Sequence, residues 1–243
     1  MKRAVVIGVM AVAGIAASTD AVSTTLTWRA SGTIDELVGW QDTLPFVVAQ
    51  GDPFAFEFAF DTAAPDANPD PTFGQYFPPA PSMLRLQLGA NSIDFDLATS
   101  LAAMNVLNNF FLPELPFGIE RDSFQVGGQQ SYADGSFLGA EILLFDDRPF
   151  VFDESGDMVV VGEGPMTSDT LPTELLDLNG FTTRRQLFVS QFIPNVSFGG
   201  IFGTVTSLVS VPPTSVPEPS MVALFCAGLL ALGLRGRLRD RSR

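Results

Sequence analysis

The sequence predicts an all-β protein, an antiparallel two-sheet sandwich or jelly roll, and three observations support this prediction. Apolar and polar residues alternate with a period of two through much of residues 24–211, as in strands with one buried face. Gly, Pro, Asn and Asp interrupt the alternation at short intervals, which is typical of turns between antiparallel strands. The apolar fraction of 46%, with 22 Phe among 243 residues, is enough to fill a core.

Ten segments carry the strand pattern, and the clearest has Phe at every second position. In residues 54–61, four Phe alternate with Ala, Glu and Asp, which predicts one apolar and one polar face. Trp28 also alternates with polar neighbours, so we expect its ring in the core. The Asn91-Ser92 link between two short segments has the length of a hairpin turn. The predicted strands cover residues 26–31, 54–61, 84–89, 93–97, 122–126, 137–145, 151–153, 158–161, 187–192 and 197–211.

Three segments depart from the strand pattern. Residues 97–108 place apolar side chains at three- and four-residue spacing, which predicts a short helix. Residues 173–178 predict a single helical turn capped by Thr173. Residues 61–81 contain six Pro, so we expect an irregular loop there.

The composition excludes many familiar catalytic systems. Without His, the chain cannot build a Ser-His-Asp triad, a Cys-His pair or a His metal site. Its single Cys excludes intrachain disulfides and Cys-clustered zinc. Residues 22–217 contain 24 acidic and six basic side chains, a net charge of −18. Because so acidic a body repels phosphate backbones, we expect no nucleic-acid binding.

Residues 1–21 predict a secretory signal peptide in the form of a signal helix. Two basic residues precede an uncharged apolar stretch, residues 4–17, and small residues follow it. Cleavage after Ser18 or Ala21 would satisfy the small-residue rule. The alternative is a buried helix of the folded protein. With the signal removed, residues 22–211 are predicted to form the exported β-sandwich domain.

Residues 212–243 combine a Pro/Ser/Thr spacer, a Pro-Glu-Pro tripeptide, an apolar run and an Arg-rich tail, in that order. The apolar run, residues 221–234, predicts a transmembrane helix shorter than the roughly 20 residues of a stable span. Arginines after the run predict a membrane stop with a cytoplasmic tail. The tripeptide is Pro217, Glu218 and Pro219, and the stop residues are Arg235, Arg237 and Arg239. A single-pass tail anchor is the alternative.

Together these C-terminal features resemble the PEP-CTERM sorting signal of Gram-negative bacteria. The resemblance rests on Val216-Pro217-Glu218-Pro219-Ser220, the short apolar run and the basic tail. It implies recognition by exosortase, a transpeptidase-like enzyme of the inner membrane, and membrane insertion of the C-terminal helix before processing. It also implies export through the inner membrane to the cell surface or the extracellular space, in association with exopolysaccharide or biofilm.

Two acidic clusters are candidate calcium sites, because Ca²⁺ binds hard oxygen ligands on loops. The first lies on the Pro-rich loop, where the spacing does not match an EF-hand and a solvated acidic loop is the alternative. The second connects residues 151–153 to 158–161, where a hairpin turn is the alternative. The candidate ligands are Asp61, Asp66, Asp70, Asp153 and Asp157.

Trp40 and Tyr76 are candidate ligand contacts, because their rings can stack on a sugar while offering a polar group. Asp94 and Asp96 share a predicted strand face at a separation of about 7 Å. Two carboxylates could serve glycoside hydrolysis, but strand alternation alone generates such pairs. We therefore expect the protein to have no enzymatic activity.

The sequence thus predicts an exported, non-enzymatic surface or matrix protein that exosortase processes and that needs no cofactor. A calcium- or carbohydrate-binding surface module is the alternative, with Ca²⁺ as its cofactor. The resemblance implies exopolysaccharide as a candidate partner.

Overall fold

The computed structural model describes residues 24–39, 47–113, 118–194 and 197–212. These residues form eleven β-strands and one short 3-10 turn, and each strand pairing among them is antiparallel. The strands are β1 Thr25–Val38, β2 Pro53–Asp61, β3 Phe73–Tyr76, β4 Met83–Leu88, β5 Asn91–Asp94, β6 Leu101–Leu112, β7 Ile119–Ser131, β8 Phe137–Phe152, β9 Met158–Val160, β10 Arg184–Ile193 and β11 Ser197–Ser210. The 3-10 turn is Leu178–Gly180.

The strands follow one another in a single sheet, in the order β3-β6-β7-β8-β10-β11-β1-β2-β4-β5, with β9 paired to β8 beside this path. The all-β class and the antiparallel pairing are confirmed. A two-sheet sandwich or jelly roll is not confirmed, because the hydrogen-bonded ladders run from β3 to β5 without a break.

The sheet curls, so that strands far apart in its order face each other across the core. Trp28 on β1 and Phe124 on β7 have three strands between them in the sheet, yet their ring centroids are 5.8 Å apart. Phe58 on β2 lies 5.9 Å from the same Phe124 ring. Trp28 is 1% exposed, as its alternation with polar neighbours predicts. These large rings supply much of the hydrophobic stabilisation inside the curl.

The Phe-rich strand β2 shows the predicted alternation. Its four Phe side chains are at most 3% exposed, while Glu57 between them faces the outer side and pairs with Arg29. β1 and β4 flank β2 and present buried side chains to the same core. The pleat therefore separates an apolar inner face from a polar outer face, as the sequence indicates.

The helix predicted over residues 97–108 is wrong, because strand β6 occupies most of that segment. Ala102, Met104 and Val106 are buried, and the residues between them face the outer side. The three- and four-residue apolar spacing coincides with a strand that has apolar side chains on both faces. Pairing with β3 and β7 outweighs this local helical pattern.

Three smaller corrections concern the segments that connect the longer strands. In the Pro-rich region predicted as loop, β3 forms a short strand at the edge of the sheet and pairs with β6. The helical turn predicted for residues 173–178 is instead the 3-10 turn that follows, capped by Asp177. The β4–β5 hairpin turns through Gly89, whose φ of 55° suits glycine, so that Asn91 and Ser92 belong to β5.

The first and last described segments of the chain lie side by side, at the start of β1 and the end of β11. Where the chain leaves β11, the Val211 amide donates to the Thr27 carbonyl oxygen at 2.8 Å, close to the start of β1. The predicted signal helix and the predicted C-terminal transmembrane helix lie outside the described residues. Among the residues that are described, no helix is long and apolar enough to cross a membrane. The proposed division of the chain at residues 21 and 211 stays a prediction.

Candidate functional site

A groove of about 440 Å³ opens on the outer face of the sheet, across β6, β7, β8 and β10. Its side chains alternate along these strands with the buried ones, so the groove lies on the opposite face from the Trp28 core. Its volume falls in the range of small-molecule sites. Its main polar side chains are Asn105, Gln125, Gln129, Glu141 and Ser190, and its larger apolar ones are Phe77, Leu101 and Phe188.

Cross-strand register brings the groove residues together from four strands. In one row, Gly127 of β7 pairs with Glu141 of β8, which pairs with Phe188 of β10. Because side chains alternate along a strand, the residues two positions away face the same side. The neighbouring row on this face contains Gln129, Gly139 and Ser190.

Gly127 and Gly139 form part of the groove floor. A Cβ atom at Gly127 would lie 2.6 Å from the Cβ of Glu141, and one at Gly139 would lie 2.8 Å from the Oγ of Ser190. Neighbouring side chains therefore occupy the space that larger residues would need. Glycine inside a strand allows another group to approach the backbone closely, and here the approaching groups are Glu141 and Ser190 of the neighbouring strands.

Glu141 is the acidic side chain of the groove, and it is half-buried. Within the described part of the chain, its carboxylate has no hydrogen-bond or ion-pair partner. Burial raises the pKa of the Glu141 carboxyl, because losing water disfavours the charged form. The carboxylate is thus an acceptor to which a ligand hydroxyl or N–H group could donate.

The amide side chains of the groove are only partly used by the protein. Gln125 Nε2 donates to Ser123 Oγ at 3.2 Å, and Asn105 Oδ1 accepts from Gln75 Nε2 at 3.4 Å. The remaining amide atoms, Gln125 Oε1 and Asn105 Nδ2, can still hydrogen-bond to a ligand. Gln129 makes no side-chain hydrogen bond to any described residue.

Apolar side chains flank this polar floor. On the β10 side, Phe188 stacks on Phe202 with centroids 4.9 Å apart and 24° between the ring planes. On the β6 side, Leu101 and Phe77 are 73% and 49% exposed. Among the described residues that line the groove, none is basic. The site therefore combines apolar flanks, hydrogen-bonding amides and one negative charge.

No local sequence pattern predicts this groove. Its residues come from four strands, and β8 and β10 are separated by a long connection, so their register could not be read from the sequence. The available signal was glycine within strands, at Gly127 and Gly139. Such glycines often mark a close backbone approach.

The carboxylates predicted as calcium ligands on the Pro-rich loop cap turns of that loop. Asp66 Oδ1 accepts from two backbone amides at 2.8 Å, and Asp61 Oδ1 accepts from one at 2.9 Å. Asp70 Oδ1 accepts from the amide and hydroxyl of Thr72, and these bonds lower the pKa of the Asp70 carboxyl. Within the ranges that the structure describes, no three acidic, His or Cys side chains are grouped to hold a metal ion. Calcium binding stays a prediction.

The other two candidate calcium ligands close the β8–β9 hairpin. Asp153 Oδ1 accepts from the amides of Ser155 and Asp157 at 2.8 and 3.0 Å. The Asp153 amide in turn donates to the Asp157 carbonyl oxygen at 2.9 Å. The hairpin predicted between residues 151–153 and 158–161 is confirmed, with β8 as its longer arm.

The two candidate aromatic contacts have different outcomes. Trp40 lies outside the described residues. Tyr76 is 3% exposed on β3, and its hydroxyl donates to the Asp169 carbonyl oxygen at 3.0 Å. Burial, together with the nearby charges of Asp66 and Asp169, raises the pKa of Tyr76 to about 12. Because the protein encloses its ring, Tyr76 offers no open face to a ligand in this structure.

Asp94 and Asp96, the pair considered for glycoside hydrolysis, have separate protein partners. Asp94 at the end of β5 forms an ion pair with Arg85 on β4. Asp96 lies beyond the strand and accepts from the Thr99 hydroxyl at 3.1 Å. Both side chains are exposed on either side of the buried Phe95, so they face the same side, although β5 ends at Asp94.

A buried ion network that no local sequence pattern predicts lies at the β7–β8 pair. Arg148 Nη2 contacts Asp122 Oδ1 at 2.8 Å and Glu120 Oε1 at 3.0 Å. The Asp122 side chain is fully buried, and its Oδ2 accepts from the Met166 amide at 2.9 Å. The network ties the loop after β9 to the sheet, which is a structural role.

The sorting signal lies beyond the described residues, so its identification rests on sequence. Pro217, Glu218, Pro219 and the arginines of the tail all fall in that segment. A family model described as the PEP-CTERM protein-sorting motif matches residues 215–238. No curated protein matches the chain, and no solved structure matches it. The chain therefore carries the PEP-CTERM sorting motif, which marks an exported protein of Gram-negative bacteria and implies exosortase as its processing partner.

Proposed function

We propose that this protein is a non-enzymatic component of the cell surface or extracellular matrix, released from its C-terminal signal by exosortase and associated with exopolysaccharide. The observation that carries the proposal is the sorting motif at residues 215–238, which follows the end of an acidic, all-β body. We also propose that the two halves of the curled sheet act as the two layers of a sandwich, since Trp28 and Phe124 meet between them.

The non-enzymatic part of the proposal is supported by composition and by the use of carboxylates in the body. The chain has no His, which removes the commonest general acid and base. The acidic residues considered for catalysis, Asp94 and Asp96, bind other groups of the same protein. A protein that only binds a ligand or supports a structure does not need either carboxylate to be available for catalysis.

The sorting step follows from the order of the C-terminal features. A short apolar run closed by arginines would hold the preceding residues at the outer membrane–water boundary. Because Pro217 and Pro219 disfavour helix and strand, the sequence of the tripeptide favours an extended peptide that a membrane enzyme could reach. We propose that processing takes place near this tripeptide and removes the apolar run with its tail.

The first test is the intact mass of the protein recovered from its host, with and without the exosortase gene. We expect a mature species that ends near Pro217–Pro219 in the parent strain and is absent from the deletion strain. Glu218→Ala should block processing, whereas Pro212→Ala, outside the matched residues, should leave it unchanged. A species that retains Arg243 in both strains would contradict processing by exosortase.

The second candidate function is a carbohydrate- or calcium-binding module. The groove with Glu141 and its amides favours the carbohydrate version, because these side chains have hydrogen-bonding capacity that the protein leaves unused. The calcium version relies on carboxylates that already cap turns.

A further inference from the structure

We propose that the groove across β6, β7, β8 and β10 binds a neutral polysaccharide chain, with Glu141 as its central hydrogen-bond acceptor. The inference rests on the proposed association with exopolysaccharide, and it assigns the binding site and the class of polysaccharide. It uses three observations: the shape of the groove, the unused polar groups on its floor and its charge.

The shape of the groove suits an extended chain. Four adjacent strands at a spacing of about 4.8 Å form a floor about 14 Å wide, which can accommodate several sugar rings. The groove is open to solvent along the sheet face, so a long polymer can enter it without having a free end.

The chemistry of the groove suits hydroxyl groups. A sugar hydroxyl donates one hydrogen bond and accepts others, and the groove offers partners of both kinds. Glu141 can accept, while Gln129 can donate and accept through its amide. The exposed Leu101 and the Phe188 ring can contact the apolar C–H faces of the sugar rings.

The charge of the groove selects against acidic polysaccharides. Glu141 has no basic partner among the described residues, and residues 22–217 carry a net charge of −18. A uronate or sulfate group would meet this negative field without a cation to pair with, which is unfavourable. A neutral chain pays no such electrostatic penalty and can still donate hydrogen bonds to the carboxylate.

The test is affinity electrophoresis of the full-length chain, kept in mild detergent, through native gels that contain a defined polysaccharide. The neutral probes are dextran, galactomannan and hydroxyethyl cellulose, and alginate is the acidic probe. The key variant is Glu141→Gln, and the matched control is Glu174→Gln, which removes the same charge from an exposed loop away from the groove. A second variant, Gln129→Ala, removes another unpartnered groove side chain.

We expect at least one neutral polysaccharide to retard the wild-type chain and alginate to leave it unretarded. Glu141→Gln should weaken binding about tenfold, in keeping with the loss of a charge-assisted hydrogen bond. Gln129→Ala should weaken it as well, while Glu174→Gln should bind like the wild type. Circular dichroism of each variant separates a loss of binding from a loss of folding.

Three results would overturn the site. These are no retardation by any neutral probe, retardation by alginate alone, or equal behaviour of the Glu141 and Glu174 variants. Failure here leaves the sorting proposal intact, because that proposal is judged by the mass of the processed chain. Conversely, a chain that binds dextran but keeps Arg243 in its host would contradict sorting and retain the groove.

Discussion

Glu141 shows how a single residue can serve binding at a cost to folding. Its carboxylate lies half-buried beside Gly127, without a protein partner among the described residues, and burial raises its pKa above the ordinary value of 4.5. The folded state therefore holds the Glu141 proton more tightly than the unfolded state does. Below the unfolded pKa the carboxyl is protonated in both states and costs nothing. As pH rises through and above that value, folding loses stability because the charge must be buried.

We accordingly expect Glu141→Gln to raise the midpoint of thermal unfolding at pH 7 and to leave it nearly unchanged at pH 4. The increase should be modest, because the side chain is partly exposed to water. Glu174→Gln provides the baseline for removing one negative charge elsewhere. An equal effect of the Glu141 variant at pH 4 and pH 7 would contradict this account. A variant that folds better and binds worse is the trade-off expected of a functional residue.

At the scale of elements, Arg148 on β8 joins two strands and a loop. Its guanidinium contacts Asp122 and Glu120 on β7, and Asp122 also holds the amide of Met166. Removing one member of such a buried network leaves the other charges without compensation. In the Arg29–Glu57 pair on the opposite half of the sheet, the Arg29 side chain is exposed, so water can replace much of the lost interaction.

Arg148→Met should therefore lower the free energy of unfolding by about 3–5 kcal/mol. Arg29→Met, which deletes the same group from a pair whose arginine is exposed, should lower it by less than about 1 kcal/mol. Urea denaturation followed by tryptophan fluorescence measures both values, since Trp28 lies in the core. Equal losses in the two variants would show that the buried network has no special role.

At the scale of the whole molecule, the negative charge makes calcium the ion to test. An ion that binds only the folded state raises apparent stability by mass action. If the acidic loops bind Ca²⁺, the full-length chain should melt several degrees higher in millimolar calcium, and EDTA should reverse the shift. Magnesium at the same concentration controls for general screening of charge. No calcium-specific shift would remove the calcium-binding alternative.

Prediction from sequence succeeded where the information is local. The alternation in β2 places its Phe side chains correctly, and the tripeptide with its apolar run and arginines identifies the sorting motif without any structure. It failed where distant strands decide the outcome. β6 has apolar residues on both faces and looks helical until β3 and β7 pair with it. Glu141 gains its environment only from strands brought alongside it, so no local pattern distinguishes it from other acidic residues.

The place where the chain leaves the sheet has a consequence for how the groove is presented. Val211 departs beside Thr27, at one end of β11, while Gly200, near the other end, pairs with Ser190 in the groove. The intervening strand has a length of roughly 30 Å at about 3.3 Å per residue. β11 thus connects the groove to the point where the C-terminal segment leaves the sheet. In a protein fixed to a surface through its C-terminal end, this length of β11 would separate the groove from the point where the chain leaves the sheet.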